Sequence, residues 1–126
     1  MTMKRSNISE AEWEVMEVIW KRSPRSANQI IEALTGHMHW APTTVRTMLS
    51  RLVGKKAVAS EKKGGVILFR PLVDREECVW QESESFLERI FGGATKPLLL
   101  HFAAKATLSP EEIRELQRLL KEKGKA

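Results

Sequence analysis

The sequence predicts a mostly α-helical protein with one small β-hairpin, in which an N-terminal winged helix-turn-helix is followed by a second helical domain. Three observations support this fold class. Short helices with distinct start signals precede a β-rich segment, positive charge is concentrated in the same part of the chain, and strongly apolar helical stripes occupy the remainder. We therefore predict a first domain over residues 1–73 and a second over residues 74–126.

Two capping boxes mark the first two helices. The boxes are Ser9-Glu-Ala-Glu12 and Ser26-Ala-Asn-Gln29. In each, the serine hydroxyl accepts a hydrogen bond from the backbone amide three residues later, and the side chain of that later residue accepts one from the serine amide. We expect the first helix to stop before Pro24 and the second to end at Gly36. The apolar positions expected to face the core are Val15, Met16, Ile19 and Trp20 in the first helix, and Ala27, Ile30, Ile31 and Leu34 in the second.

A third helix is predicted to begin near Pro42, a residue suited to a first helical turn. Its apolar stripe consists of Val45, Met48, Leu49 and Leu52. A hairpin with a basic tip is predicted after this helix. It consists of a short strand framed by Val58 and Ser60, a turn over Lys62-Lys-Gly-Gly65 and a β-rich run over Val66–Phe69. Three helices followed by such a hairpin are typical of a winged helix.

Positive charge is concentrated in the first domain. Residues 1–73 contain 12 lysines and arginines against 6 acidic residues, whereas residues 74–126 contain 9 against 10. No carboxylate occurs between Pro42 and Ser60, although a solvated helix usually carries both signs. This asymmetry indicates a polyanionic partner, most commonly nucleic acid. The alternative is that the charge serves solubility alone.

The outer face of the third helix carries groups suited to the major groove of double-stranded DNA. Arg46 is the first candidate for base recognition, through O6 and N7 of guanine, and Thr43 and Thr47 offer hydroxyl and methyl groups. Phosphate contacts should supply most of the affinity and base contacts most of the selectivity. The residues predicted to contact the DNA backbone are Ser50, Arg51, Lys55, Lys56, Lys62 and Lys63.

Three further helices are predicted in residues 74–126. Asp74 and Ser109 are candidate caps, and Gly92-Gly93 is expected to end the first of these helices. About 50 residues cannot close a large core alone, so the apolar stripes predict a dimerisation domain buried against a second copy. The residues assigned to this interface are Trp80, Leu87, Ile90, Phe91, Leu99, Phe102, Leu116 and Leu120. Packing onto the first domain alone is the alternative.

Several classes of protein are not expected. No apolar run approaches the length of a membrane helix, no signal peptide is predicted, and a single cysteine, Cys78, suits the reducing cytoplasm. His37-Met-His39 lacks further ligands, so no metal and no cofactor are predicted. Cys78 is interpreted as a partly buried, passive thiol, and Trp13 and Trp20 as core residues. No phosphate loop or nucleophile motif occurs, so an enzyme is not expected.

Four motifs follow one another along the chain, namely Ser9-Glu-Ala-Glu-Trp-Glu-Val-Met16, Ser26-Ala-Asn-Gln29, Thr44-Val-Arg-Thr47 with Arg51-Leu52, and Phe86-Leu87 before Phe91-Gly-Gly93. This ordered set resembles the penicillinase repressor family, of the BlaI/MecI/CopY type, from about Ile8 to Leu120. The resemblance implies a homodimeric repressor that holds a promoter closed on a palindromic operator. It also implies that Thr43, Thr44, Arg46 and Thr47 recognise the operator.

The resemblance implies a release mechanism as well. In β-lactam-responsive members, a membrane sensor-protease triggers cleavage of an Asn-Phe bond in the dimerisation domain, and the matching bond here is His101-Phe102. The partner would be this sensor or a downstream protease. His101 departs from the family's asparagine, which puts both the cleavage and the β-lactam link in question. Copper-responsive members carry paired Cys-x-Cys motifs that Lys121–Ala126 lack, so copper sensing by that route is not expected.

Two other functions fit the residues. A protein-interaction module would use the basic hairpin to bind an acidic protein, and its DNA binding would lack sequence preference at physiological salt. A ligand-released DNA-binding regulator would instead hold a small molecule in a dimer cavity, with aromatic residues such as Trp80 and Phe86 lining it. Release of DNA by a compound, with the chain uncut, would separate this regulator from a proteolysed one.

Overall fold

The computed structural model describes residues 8–36 and 38–125, which form two compact units. The first unit extends to Phe86 and the second begins at Leu87, so one helix, α4, contributes to both. The elements in order are α1 (Glu10–Lys21), β1 (Arg25–Ser26), α2 (Ala27–Thr35), α3 (Pro42–Gly54), β2 (Val58–Lys63), β3 (Val66–Pro71), α4 (Arg75–Phe91), α5 (Thr95–Lys105) and α6 (Pro110–Gly124). The predicted class is confirmed, whereas the functional boundary after residue 73 stays a prediction.

Hydrogen bonds confirm four of the predicted helix starts, at Ser9, Ser26, Asp74 and Ser109. The hydroxyls of Ser9, Ser26 and Ser109 each accept a hydrogen bond from the backbone amide three residues later. The Glu or Gln side chain at that later position accepts one from the serine amide. Asp74 accepts from the Glu77 amide at 3.2 Å, just before α4. These caps satisfy helix N–H groups that would otherwise lack partners, and they fix where each helix begins.

The sheet has three strands in the order β1-β3-β2, and both pairs are antiparallel. Strand β1 was not predicted, because two residues are too few to show a period-2 pattern. The predicted turn over Lys62-Lys-Gly-Gly65 is wrong in its first half, since Lys62 and Lys63 belong to β2. Gly64 and Gly65 form the turn alone, with φ of +56° and +80°. Such a two-residue connection lets Lys63 pair directly with Val66.

The core lies in the first unit, where α1, α2 and α3 pack together and against the sheet. All four residues of the predicted α3 stripe are buried. Trp13 and Trp20 lie at the edge of this core, half-buried, with their ring centroids 5.3 Å apart in an edge-to-face arrangement. The buried apolar residues are Ile8, Val15, Met16, Val18, Ile19, Ile30, Leu34, Val45, Met48, Leu49, Leu52, Ala57, Val58 and Cys78.

Within this core lies a buried carboxylate, Glu12, whose side chain is only 2% exposed. Its Oε1 accepts from the Ser9 amide at 2.9 Å and from the Lys55 ammonium at 2.5 Å. Burial alone would raise the pKa of Glu12, but the hydrogen bonds from Lys55 and Ser9 and the charge of Lys55 outweigh it and hold this pKa below its ordinary value. Because Lys55 directly follows α3, this contact joins the start of α1 to the end of α3.

Two contacts within the first unit hold the start of α4 against α1. The Trp20 indole donates to the Val73 carbonyl at 2.9 Å. Arg75 donates through Nε and Nη2 to the two carboxylate oxygens of Glu17, at 2.8 and 3.0 Å. The hydrogen bonds from Arg75 lower the pKa of Glu17 despite some burial. Both side chains of this ion pair are exposed, so it adds little to the free energy of unfolding. Its main effect is to orient the start of α4 on α1.

The second unit contains the end of α4 together with α5 and α6. As predicted, Gly92 and Gly93 end α4, with φ of +59° and +88°, and their amides donate to the carbonyls of Glu88 and Leu87. This is the arrangement that closes many helices, and it requires the left-handed backbone that glycine adopts readily. No described residue of α5 or α6 is buried, so this unit has no core of its own.

The remaining sequence expectations concern membranes, metals and the thiol. Between residues 8 and 125, with residue 37 left aside, no helix is long and apolar enough to cross a membrane. Over the same part of the chain, no cluster of three or more potential metal ligands occurs. Of the predicted His37-Met-His39 pair, His37 lies outside the described residues and His39 is exposed. Cys78 was predicted to be partly buried, and the structure shows it fully buried.

The Glu12–Lys55 pair predicts a pH-dependent loss of stability in Lys55→Met. Removing the ammonium leaves a buried carboxylate unpaired, and we expect unfolding free energy at pH 7 to fall by about 3 kcal/mol. Because the pKa of Glu12 is lowered in the folded protein, its contribution is present above the unfolded pKa of about 4.3 and is lost as pH falls. Urea unfolding between pH 3 and pH 7 measures this difference.

Lys56→Met is the matched control, because Lys56 is the next residue, is exposed, and loses the same charge. Its effect is expected to be small and nearly independent of pH. Equal losses for the two variants at every pH would contradict the structural role assigned to Lys55.

Candidate nucleic-acid interface

Helix α3, which we call the recognition helix, separates its residues into a buried and an exposed face. Its buried stripe packs in the core, as described above, and fixes the rotation of the helix about its axis. The exposed face carries no carboxylate, and its polar side chains are hydroxyls and cations. The exposed polar residues are Thr43, Arg46, Thr47, Ser50 and Arg51, while Thr44 is half-buried.

Arg46 is held by a neighbouring helix. Its Nη2 donates to Oδ1 of Asn28, on the first turn of α2, at 2.9 Å. The sequence pattern did not indicate Asn28 as the partner of Arg46. The signal was present, however, because the capping box at Ser26 places Asn28 near the start of α2, which packs against α3.

The three threonines of the predicted base-recognition set differ in exposure and in the hydrogen-bonding groups that they present to solvent. The Thr47 hydroxyl donates to the Thr43 carbonyl one turn earlier, at 2.9 Å. Its hydrogen is therefore engaged, and Thr47 presents its oxygen as an acceptor together with its methyl group. Thr43 is exposed at the start of the helix, whereas Thr44 is partly covered. Base recognition by these residues and by Arg46 stays a prediction.

The two lysines of the hairpin lie on opposite faces of β2, because neighbouring side chains on a strand alternate. Lys62 pairs with Ile67, and Ser60 pairs with Phe69, so these four residues share one face. Ile67, Phe69 and Ser60 also line a groove of about 320 Å³ beside the recognition helix. Lys62 therefore extends from the face that adjoins α3, whereas Lys63 extends from the other face.

This groove separates the hairpin from the recognition helix. Its remaining lining residues are Ala27, Arg46, Leu49, Ser50 and Val53. Arg46 thus borders this groove, while its guanidinium reaches Asn28. The recognition helix, the start of α2 and one face of the hairpin consequently form one continuous surface.

The residues predicted to contact the DNA backbone fall into two groups. Ser50, Arg51 and Lys56 are exposed at the end of the recognition helix or just after it. Lys55 is partly buried instead, and its ammonium is bound to Glu12. The structure thus gives Lys55 a structural partner that the sequence did not indicate, since Glu12 lies 43 positions away along the chain.

The residues assigned to dimerisation are largely exposed in the single chain. Trp80, on the part of α4 in the first unit, is 63% exposed, and Leu120 in the second unit is 61% exposed. Ile90, Leu99, Phe102 and Leu116 are also exposed, whereas Leu87 and Phe91 are half-buried. Large apolar side chains in water are unfavourable, and exposed ones of this size are typical of surfaces that bind a partner.

The bond between His101 and Phe102 lies inside α5, with both side chains exposed and their rings in an edge-to-face contact at 6.0 Å. A protease that binds extended substrate would require this helix to open locally. Because α5 has no buried residue, little packing opposes such opening. Cleavage of this bond stays a prediction.

Comparison with known proteins identifies relatives along nearly the whole chain. A family model described as "Penicillinase repressor" matches residues 8–122. The penicillinase repressor of Bacillus licheniformis is 40% identical over 119 residues, covering 94% of this chain and 93% of that protein. The methicillin resistance regulatory protein MecI of Staphylococcus aureus (strain N315) is 36% identical over 123 residues, covering 98% of this chain and all of that protein.

One similar solved structure is a complex with DNA. It is the solution structure of the monomeric form of BlaI from Bacillus licheniformis in complex with the blaP half-operator. That protein is 43% identical to this chain, with a TM-score of 0.50, over 56% of this chain and 85% of its own. The similarity is therefore to a protein whose structure contains DNA.

The geometry of the hairpin predicts unequal roles for its two lysines. Lys62 lies on the face beside the recognition helix, so we expect Lys62→Ala to weaken binding to duplex DNA of any sequence. The slope of log affinity against log salt should fall by about 1, as for one lost phosphate contact. Lys63→Ala removes the same charge from the other face and is the control. Equal effects of the two variants would contradict this placement.

Proposed function

The chain belongs to the penicillinase repressor family, and we propose that it represses transcription by binding a palindromic operator as a homodimer. The family is one of transcriptional repressors and not of enzymes. The observation that carries the proposal is the carboxylate-free outer face of α3, held on a winged helix with Arg46 at its centre. A relative with 43% identity has been solved with a half-operator, which supports the same use of this surface.

Base recognition is assigned to Arg46 first, with Thr43, Thr44 and Thr47 beside it. A guanidinium presents two parallel N–H groups and matches the O6 and N7 acceptors of guanine. Ser50, Arg51, Lys56 and Lys62 are assigned to phosphates, which supply affinity without sequence information. This division of roles favours a site-specific repressor over a module that binds an acidic protein.

Dimerisation is assigned to the apolar side chains of α4, α5 and α6. These helices leave Ile90, Leu99, Phe102, Leu116 and Leu120 exposed, and a second copy is the simplest cover for them. Two-fold symmetry presents the same surface from each copy, so two recognition helices face two half-sites of opposite direction. A palindromic operator follows from this symmetry.

Release from the operator is assigned to a signal that acts on the C-terminal part of the chain. Cutting the exposed bond between His101 and Phe102 would separate the winged helix from α6 and so weaken the dimer. A membrane sensor-protease or a protease downstream of it is the proposed partner, with histidine in place of the family's asparagine at the cut. The cytoplasm is the proposed location, because a repressor must meet DNA there.

Base recognition is tested by Arg46→Ala. We expect this variant to lose about 1–3 kcal/mol of binding to the preferred operator, while its affinity for unrelated DNA and its thermal stability remain nearly those of the wild type. Competition binding at fixed salt measures both affinities. Arg51→Ala, on the same exposed face, should weaken both affinities alike. Unchanged operator preference in Arg46→Ala would contradict the assignment.

The dimer is tested by a double substitution on α6, Leu116→Gln with Leu120→Gln. Burying one leucine in the dimer is worth about 1.5–3 kcal/mol. We therefore expect the dissociation constant of the dimer to rise by at least about a hundredfold. Sedimentation over a range of concentrations measures it. Arg114→Gln, away from the apolar stripe of the same helix, is the control. A double variant that remains as dimeric as the wild type would overturn this interface.

A further inference from the structure

We propose that Asn28 is a positioning residue, which orients the Arg46 guanidinium for base recognition and thereby sets the sequence preference of the protein. This inference rests on the proposed function, because it concerns how the recognition helix distinguishes one operator from other DNA. It extends the specificity surface from α3 to the first turn of α2.

The contact joins two separate helices. Nη2 of Arg46 donates to Oδ1 of Asn28 at 2.9 Å, although the two residues are 18 positions apart in the chain. Both side chains are exposed, so this hydrogen bond lies on the surface and not in the core. A contact there contributes little to folding but determines where an otherwise flexible arginine points.

The backbone of Asn28 is itself well fixed. Asn28 is the second residue of α2, and its neighbours Ser26 and Gln29 form the capping box that starts this helix. Ser26 also pairs with Leu68 in the sheet. The acceptor for Arg46 is therefore anchored by both a helix cap and a strand, while the Asn28 side chain itself takes no part in the cap.

The other side of Arg46 is restricted too. Arg46 lines the 320 Å³ groove together with Ala27 and Leu49. With the groove on one side and Nη2 bound to Asn28, the side chain has fewer accessible orientations than an arginine surrounded by solvent. An arginine fixed in advance loses less conformational freedom when it binds.

A neutral acceptor suits this role better than a charged one. A guanidinium has five N–H donors, and the bond to Asn28 engages one of them, so two parallel donors remain for a base. A carboxylate at position 28 would hold Arg46 more strongly but would add a negative charge to the surface that faces the DNA. Asparagine orients the arginine and leaves its positive charge intact.

The test is a double-mutant cycle that measures the ratio of two affinities. The duplexes are the sequence enriched from genomic fragments by the wild-type protein and the same sequence scrambled. We expect Asn28→Ala to lower the ratio about fivefold to tenfold, as for one typical hydrogen bond lost at an exposed position, with the affinity for scrambled DNA unchanged. In the Arg46→Ala background, Asn28→Ala should cause no further loss.

Gln29→Ala is the matched control, because it removes the neighbouring amide side chain and damages the capping box. It should lower the thermal stability without changing the affinity ratio. In the free protein, ¹⁵N relaxation of the Arg46 Nε–H group should show greater mobility in Asn28→Ala than in the wild type or in Gln29→Ala.

The outcomes separate this inference from the function on which it rests. A wild-type protein that prefers its operator, with an unchanged ratio in Asn28→Ala, would overturn the positioning role alone. Equal losses from Asn28→Ala in both backgrounds would show that Asn28 contacts DNA independently of Arg46, and would also overturn it. A wild-type protein without any sequence preference would overturn the proposed function together with the inference.

Discussion

The buried pair of Glu12 and Lys55 is the interaction on which the geometry of the first unit depends. Its carboxylate caps the start of α1 through Ser9 and receives the ammonium that follows α3. Burying a charge is costly unless it is paired and hydrogen-bonded, so this position accepts few alternatives. One end of the recognition helix is thereby fixed to α1, and the exposed face of that helix is fixed with it.

The two units differ in how their apolar residues are used. In the first, α1, α2, α3 and the sheet bury a common core, which gives Arg46 and its neighbours a rigid support. In the second, α5 and α6 bury none of their described residues. The first unit thus has a core that supports its exposed face, while α5 and α6 leave their apolar residues exposed. This contrast underlies the proposal that recognition and assembly are performed by different parts of the chain.

Much of this structure could be predicted from the sequence because its helix signals are local. Three serine capping boxes fixed the starts of α1, α2 and α6, and helical periodicity identified the buried stripe of α3. The failures involve contacts between distant residues. Neither the partner of Lys55 nor that of Arg46 lies on its own helix, and β1 exists only because β3 pairs with it. The turn was misplaced because the strand propensity of Lys62 and Lys63 is weak, whereas pairing with β3 decides their conformation.

The central claim, that the protein is a dimeric, site-specific repressor, is tested most directly by selection from fragmented genomic DNA. The purified full chain would capture fragments at about 150 mM salt, where contacts to phosphates alone are weak, and the retained fragments would be sequenced. The account predicts one enriched motif with two-fold symmetry. Retention without any enriched motif, by protein shown to be folded and dimeric, would contradict it.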